Sequence, residues 1–238
     1  MRLSEAIDLL GHLQLYAANP AASSSASPLP HAADAPGAPE SRTPAGPDAL
    51  GSPTPANPAA SPSAPAPYTP PAPQRWADLG CGSGLFTEAL ARFLPSGSSI
   101  YGVDFRPTLY STSVNGVSLI PVSSDFVNIP LPIDDLDGIL MANSFHYVKD
   151  KPALLQQLKT HLRPSGTTAV PSTAAGSLLI VEYDTDSPVP TWVPWPVSYA
   201  SLQPLLAAAG WPHIEKLGER PSAYGRSNMY AALARSAR

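Results

Sequence analysis

The sequence predicts an α/β protein built on an open, mostly parallel sheet with helices on both faces. Three observations predict it. Short apolar runs alternate with amphipathic helical stretches, a glycine-rich turn follows the first run, and the alternation begins only near Gln74. Parallel strands need crossover connections, so alternating strands and helices favour such a sheet. Its ligands are expected outside the carboxyl ends of the strands.

Residues 17–73 form a tract of unusual composition. They contain 16 of the 31 prolines of the chain, among Ala, Ser and Gly. Such a tract has too few bulky apolar side chains to offset the entropy lost on ordering, which predicts disorder with polyproline character. Residues 1–16 before it predict an amphipathic helix, capped by Ser4, that docks on the main domain. The folded domain is predicted at 74–238.

Apolar runs and helix-breaking residues predict the order of the strands and helices within that domain. Strands are predicted at 75–79, 99–104, 117–122, 137–143 and 177–183, with a final strand pair at 213–219 and 228–235. Helices are predicted from the glycine turn to Pro95, from Asp150 to Pro164, and from Ser201 to Ala209. Residues 167–175, rich in Ala, Pro, Ser and Thr, predict a surface insertion without a fold of its own.

The charge and composition of the chain limit the kinds of partner that are expected. A net charge of −4 gives no electrostatic footprint for nucleic acid or an anionic membrane, and a single cysteine rules out a disulfide framework. No apolar run approaches the roughly 20 residues of a membrane span. The expectation is a cytoplasmic protein with neither a nucleic-acid nor a membrane partner.

The glycine turn is the strongest single signal. In "WADLGCGSGLF" the glycines Gly80, Gly82 and Gly84 alternate, two residues after Asp78. Glycine opens backbone conformations closed to other residues and lets a ligand approach the main chain. One or two glycines suffice for a tight strand-to-helix turn, so three indicate a ligand loop. A dinucleotide site would place its third glycine one residue later, which argues against NAD or FAD.

"DLGCGSG" resembles the first motif of the class I S-adenosylmethionine-dependent methyltransferases, and the resemblance extends from Trp76 to about Arg235. It implies a Rossmann-like, doubly wound, mostly parallel sheet of seven strands with a final antiparallel strand. It also implies that S-adenosyl-L-methionine is the cofactor and that the glycine loop lies against its methionine part.

The resemblance implies cofactor contacts for ten residues: Asp78, Gly80, Cys81, Gly82, Gly84, Asp104, Phe105, Asp125, Phe126 and Asn143. Asp104 follows Gly84 by 20 residues, and its carboxylate would accept hydrogen bonds from both ribose hydroxyls. Asp125 would take the adenine amino group, with Phe126 flanking the ring. Cys81 is interpreted as a small packing residue, because the nearby sequence suggests no base that would activate it.

Residues for the methyl acceptor are expected after the fourth and fifth strands. His146 is the candidate general base, since the unperturbed pKa of histidine lies near neutrality; a packing role stays open. Tyr183 is a second catalytic candidate. Trp192 and Trp195 either roof an apolar acceptor site or cover the end of the sheet.

Two motifs that are absent from the sequence limit the class of methyl acceptor. Ser144 and Phe145 follow Asn143 where nucleic-acid amino-methylating enzymes carry a Pro-Pro-aromatic run, and no acid ends the fourth strand to support a metal site. The sequence therefore predicts methyl transfer to a small molecule, without a metal. A protein or nucleic-acid methyltransferase, or a non-catalytic S-adenosylmethionine-binding protein, remains the alternative. The oligomeric state stays open.

Overall fold

The computed structural model describes residues 1–11, 13, 70–163, 176–222 and 227–236 of the 238-residue chain. The helices are α1 (Leu3–Leu9), α2 (Leu85–Ala91), a short 3-10 helix (Phe145–Tyr147), α3 (Lys151–Thr160) and α4 (Tyr199–Ala208). The strands are β1 (Arg75–Leu79), β2 (Ser99–Asp104), β3 (Ser113–Val114), β4 (Val117–Ser123), β5 (Gly138–Ala142), β6 (Ser177–Tyr183), β7 (His213–Pro221) and β8 (Asn228–Arg235). The predictions for residues 17–69 and 167–175 fall outside the described residues.

The strands form one sheet in the order β3-β4-β2-β1-β5-β6-β8-β7. Strands β4, β2, β1, β5 and β6 run parallel, and β8 lies antiparallel between β6 and β7. From β1 the chain builds outward through β2 and β4, and then crosses back to β5 on the other side. The carboxyl ends of β1 and β5 therefore flank the switch point, where a ligand crevice is expected. The predicted fold class is confirmed.

Apolar side chains cover both faces of the sheet. Along β5, Ile139 and Met141 pack into one apolar cluster, and Leu140 and Ala142 pack into the other. This period of two follows from the pleat, which sends successive side chains to opposite faces. All five residues of β5 are buried, as expected of a central parallel strand.

The sheet has eight strands, so the predicted number of seven was wrong. The additional strand is β3, which pairs antiparallel with β4 through a tight turn at Asn115 and Gly116. Both turn residues have positive φ, 50° and 76°, as a two-residue type I′ hairpin requires. The Asn-Gly pair in the sequence is the signal that predicts this hairpin.

Helix α1 packs against α2 and β7. It begins at Leu3 with Arg2 as its N-cap, so the predicted cap at Ser4 was wrong; the Arg2 N–H donates to a Glu5 carboxylate oxygen instead, at 2.6 Å. The other Glu5 oxygen accepts from Arg220 of β7 at 2.9 Å.

A glycine on β7 lets α1 come close. A Cβ atom at Gly218 would lie 2.6 Å from the Leu9 carbonyl oxygen, so the absence of a side chain makes room for the end of the helix. The pairing of β7 with β8 also shifts register between Lys216 and Gly218. In the part of the chain that the structure describes, no helix has the length and apolar character needed to cross a bilayer.

Candidate cofactor and acceptor site

The loop between β1 and α2 takes a conformation that favours glycine. Gly80, Gly82 and Gly84 have φ angles of 78°, 54° and 86°. The loop is tied to β2, because the N–H groups of Gly80 and Cys81 both donate to the Val103 carbonyl, at 2.8 and 3.2 Å. All three φ angles lie in the left-handed region that favours glycine, so a side chain at any of these positions would be strained.

The three glycines differ in what surrounds them. A Cβ atom at Gly80 would lie 2.5 Å from the Cβ of Ser144, and one at Gly84 would lie 2.8 Å from a methyl group of Leu109. A Cβ atom at Gly82 would meet nothing within 4 Å. Gly80 and Gly84 thus serve close packing, whereas Gly82 leaves open space above the backbone, as a ligand loop needs.

Asp104, at the carboxyl end of β2, binds the same loop. Its Oδ2 atom accepts from the Gly82 N–H at 3.0 Å, and its Oδ1 atom accepts from the Arg106 N–H at 3.3 Å. The sequence missed this contact with Gly82, since nothing in a linear pattern shows which backbone amide a strand-end acid reaches. The carboxylate of Asp104 is partly exposed beside the open space at Gly82.

Three further predicted cofactor residues lie after β2 and β4. Phe105 is 69% exposed. Phe126 is partly buried, and its ring lies 3.8 Å from where a Cβ atom of Gly80 would be. Asp125 accepts from the backbone N–H groups of Val127 and Asn128 and from the Asn128 amide, which lower the pKa of its carboxyl. Phe126 is thus next to the glycine loop, while Asp125 shapes the turn that carries it.

Asp78 and Cys81 are buried under the loop. Asp78 is 1% exposed, and its Oδ2 atom accepts from the Thr87 hydroxyl of α2 at 2.5 Å. Its Oδ1 atom has no hydrogen-bond partner among the described residues. Burial raises the pKa of Asp78 to about 7 and that of the Cys81 thiol to about 12. A thiol with so high a pKa is a poor nucleophile at neutral pH, in keeping with a packing role for Cys81.

The raised pKa of Asp78 predicts a stability that depends on pH. The native state holds the Asp78 proton more tightly than the unfolded chain, whose carboxyl keeps a pKa near 3.8. The stabilisation from that proton is complete below about pH 4 and is lost as pH rises through about 7. We expect Asp78→Asn, neutral throughout, to gain on the order of a few kcal/mol relative to wild type between about pH 4 and pH 8. Urea unfolding across this range measures the difference, and a constant difference would contradict the prediction.

His146 and Glu182 form a buried pair at the ends of β5 and β6. His146 lies in the 3-10 helix after β5 and is 2% exposed, and Glu182 is fully buried in β6. The two Glu182 oxygens bind the His146 ring Nδ1 at 2.7 Å and the His146 backbone N–H at 3.1 Å. With Nδ1 held by the carboxylate, Nε2 is the ring nitrogen left to act on a ligand. An acid within the otherwise apolar run "SLLIVEY" is the sequence signal for this partner.

A cavity of about 730 Å³ opens beside this pair. No Asp, Glu, Lys or Arg is among the described residues that line the cavity. The lining residues are Asn143, His146, Tyr147, Tyr183, Thr185, Ser187, Pro188, Val189, Trp192, Val193 and Ser227. Asn143 has a positive φ of 54° and a buried Oδ1 atom with no hydrogen-bond partner among the described residues. The cavity thus combines an apolar lining with polar groups at one end, as small-molecule sites do.

Residues 187–197, here called the roof segment, form one side of this cavity. Val189 and Val193 exchange two backbone hydrogen bonds, at 3.0 and 2.8 Å, around a turn that leaves Trp192 74% exposed. The Trp195 N–H donates to the His146 carbonyl at 3.0 Å. Trp192 therefore lines the cavity, while Trp195 fastens the segment to the chain at His146.

The acids before the roof segment are used structurally. Asp184 accepts from the Tyr199 N–H at 2.8 Å. Asp186 accepts from the Ser198 N–H and hydroxyl, both at 2.8 Å, and from the Ser201 hydroxyl. These bonds join the residues just before the roof segment to the start of α4, just after it. The two ends of the roof segment are therefore held close together.

Comparison with known proteins finds a family match that includes the glycine loop. A family model described as a methyltransferase domain matches residues 77–170. Two curated relatives, both named 2-phytyl-1,4-naphtoquinone methyltransferase, come from Nostoc punctiforme and Trichormus variabilis. They are 32% and 30% identical over 100 residues, which cover 39% of this chain and 44% of each relative. The match therefore spans less than half the length of these relatives.

The fold also has solved counterparts. The crystal structure of an arsenic(III) S-adenosylmethionine methyltransferase from Chlamydomonas reinhardtii matches with a TM-score of 0.50 at 16% identity, covering 69% of this chain and 64% of that one. At this identity the match concerns the fold alone. The family match thus concerns residues 77–170, and the structural match shows that the chain shares the Rossmann-like fold of that S-adenosylmethionine methyltransferase.

Proposed function

We propose that this protein transfers a methyl group from S-adenosylmethionine to an uncharged small molecule. The observation that carries the proposal is the juxtaposition at the switch point of the sheet. An open glycine loop with Asp104 on its rim lies at the end of β1, and a cavity lined by His146, whose ring binds the buried Glu182, lies at the ends of β5 and β6. The family match over residues 77–170 supports it.

The residues around the loop fit the cofactor. Gly82 leaves the space that the methionine part needs, beside Gly80, Cys81 and Gly84. Asp104 has a partly exposed carboxylate for the ribose hydroxyls. Phe126 is proposed to flank the adenine ring, Asp125 to bind its amino group, and Phe105 to be a further cofactor contact. The Asn143 Oδ1 atom, buried without a partner in the described structure, is an acceptor for a donor group of a bound ligand.

The chain's own part in the reaction is to orient the acceptor and to remove its proton. The bound cofactor supplies an electrophilic methyl group on a sulfonium. The His146 Nδ1–H donates to the Glu182 carboxylate, which fixes the ring and leaves Nε2 to accept a proton from an acceptor hydroxyl. Glu182 also stabilises the imidazolium that results. Tyr183, on the cavity wall, is proposed to orient the acceptor.

The lining of the cavity favours an apolar, aromatic acceptor. Tyr147, Tyr183 and Trp192 offer aromatic surface, and no Asp, Glu, Lys or Arg is among the described residues of the lining. The relatives named for a naphthoquinone support the same class of acceptor. A hydroxylated arene or a reduced quinone is therefore the proposed substrate.

We propose that the protein acts in the cytoplasm, without a nucleic-acid partner. The division into 1–16, 17–73 and 74–238 is also proposed, and the packing of α1 on β7 supports its first part.

Cofactor binding tests the proposal directly. We expect calorimetry to show that S-adenosylhomocysteine binds the wild type, and that Asp104→Ala binds it at least tenfold more weakly. Two charge-assisted hydrogen bonds to the ribose are lost, each worth about 1.5–3 kcal/mol. The matched control is Asp150→Ala, which removes the α3 N-cap carboxylate that accepts from the Ala153 N–H at 3.0 Å. Equal affinity in Asp104→Ala and wild type would contradict the ribose contact.

Methyl transfer is tested with S-adenosylmethionine labelled on its methyl group and a panel of hydroxylated arenes and reduced naphthoquinones. Label in the small-molecule fraction is the expected result. Label recovered only in added protein or nucleic acid would favour a macromolecular methyltransferase. Tight cofactor binding without transfer to any fraction would favour a non-catalytic binding protein.

A further inference from the structure

Lys151, at the start of α3, is buried where its charge has no evident role in the chemistry above. It is 8% exposed, and its ammonium lies 5.1 Å from the centre of the Phe145 ring. Burial lowers the pKa of Lys151, while the nearby Glu182 raises it. Burying an ammonium is costly unless its hydrogen bonds are satisfied, so the contacts of this side chain need a reason.

Those contacts join two parts of the site. The Lys151 Nζ atom donates to the Val148 carbonyl at 2.8 Å and to the Trp195 carbonyl at 2.6 Å. Val148 directly follows the 3-10 helix that carries His146, and Trp195 belongs to the roof segment. The Trp195 N–H donates to the His146 carbonyl at 3.0 Å. Both backbone polar groups of Trp195 are thus held by the stretch of chain from His146 to Lys151.

The rest of the roof segment is held at its ends. Asp184 and Asp186 bind the start of α4, and the buried Tyr230 hydroxyl donates to the Val197 carbonyl at 2.9 Å. Trp195 lies between these anchors and the exposed turn at Trp192. In the described structure it is the residue through which the segment forms hydrogen bonds to the His146 side of the cavity.

We propose that Lys151 is a positioning residue, which sets the distance between the roof of the acceptor cavity and the His146–Glu182 pair by clamping Trp195. Its role in acceptor binding rests on the proposed function, whereas the clamp itself does not. Without the ammonium, the Trp195 and Val148 carbonyls lose their shared donor. The roof then opens more often, and the acceptor is held less firmly against His146.

The chain offers a matched control on the same helix. The Lys159 Nζ atom also donates to a backbone carbonyl, that of Ala209, at 3.1 Å, and it also lies over an aromatic ring, 5.3 Å from the centre of Trp211. The variants to compare are therefore Lys151→Met and Lys159→Met. Both remove an ammonium and keep most of the side-chain volume.

Amide exchange at Trp195 reports on the clamp. Labelling tryptophan with ¹⁵N gives four backbone amides, those of Trp76, Trp192, Trp195 and Trp211. In Lys151→Met we expect exchange at Trp195 to be at least tenfold faster than in wild type. Exchange at the buried Trp76 and Trp211 should not change, which separates local opening of the roof from general destabilisation. Lys159→Met should leave Trp195 unchanged.

Acceptor kinetics supply the second readout. Lys151→Met should raise the acceptor KM at least fivefold and leave the Kd for S-adenosylhomocysteine unchanged. Lys151→Arg should return both the exchange rate at Trp195 and the acceptor KM most of the way to their wild-type values. Unchanged exchange at Trp195, or faster exchange with an unchanged KM, overturns the proposal. If Lys151→Met does not fold, Lys151→Leu, which also removes the donor, is measured against the same criteria. If the wild type transfers no methyl group, the proposed function fails, and exchange alone decides whether the clamp exists.

Discussion

Replacing His146 with asparagine is expected to lower kcat by about 10²- to 10⁴-fold and to leave the Kd of the cofactor unchanged. The asparagine amide stands where Nδ1 stands, so it can still donate to Glu182, which binds the His146 ring at 2.7 Å. The group that is lost is Nε2, the proposed proton acceptor. Rates of S-adenosylhomocysteine release with the best arene of the panel, and calorimetry with the cofactor product, measure the two quantities.

The control for this change is a second histidine with the same kind of partner. His161 is also buried, and its Nδ1 atom lies 2.7 Å from an oxygen of Asp134, but it is not among the residues that line the cavity. His161→Asn should therefore keep kcat within a few-fold of wild type. Equal losses in the two variants, or near-normal turnover by His146→Asn, would show that His146 is a packing residue.

Alanine at Gly80 and alanine at Gly82 are expected to fail in different ways. Both positions have positive φ, which costs an alanine about 1–2 kcal/mol. At Gly80 the new methyl group would also lie 2.5 Å from the Cβ of Ser144, and such overpacking costs about 1–3 kcal/mol more. Gly80→Ala should therefore be the less stable variant. At Gly82 the methyl group enters open space, so Gly82→Ala should keep most of its stability and bind cofactor at least tenfold more weakly.

Urea unfolding and calorimetry on the same samples separate the two effects. Gly97→Ala is the matched control, because Gly97 also has a positive φ, 86°, but precedes β2, at the end of the strand away from the site. It should lose stability and keep its affinity for S-adenosylhomocysteine. If Gly82→Ala bound the cofactor product as tightly as Gly97→Ala does, the glycine loop would not be the cofactor site.

Much of the fold could be predicted because short stretches of sequence determine its strands and helices. The strands at 75–79, 99–104, 177–183 and 228–235 occur at the predicted positions, since uninterrupted apolar runs between breakers leave few other structures. Boundaries depend on tertiary contacts and were less accurate. Helix α4 begins at Tyr199 rather than Ser201, because its N-cap is Ser198, which Asp186 holds in place by accepting from the Ser198 N–H and hydroxyl. The hairpin of β3 was missed although Asn115–Gly116 signals it.

By itself, the sequence determined the alternation of strands and helices and the place of the glycine loop, because apolar periodicity and the backbone freedom of glycine are properties of single short segments. Only the tertiary structure decided which distant groups meet. It brought Glu182 to the ring of His146, Asp104 to the amide of Gly82, and Lys151 to the carbonyl of Trp195, at 2.7, 3.0 and 2.6 Å. Such contacts depend on the order and register of the strands, and separations of 22 to 44 residues along the chain carry no local signal of them.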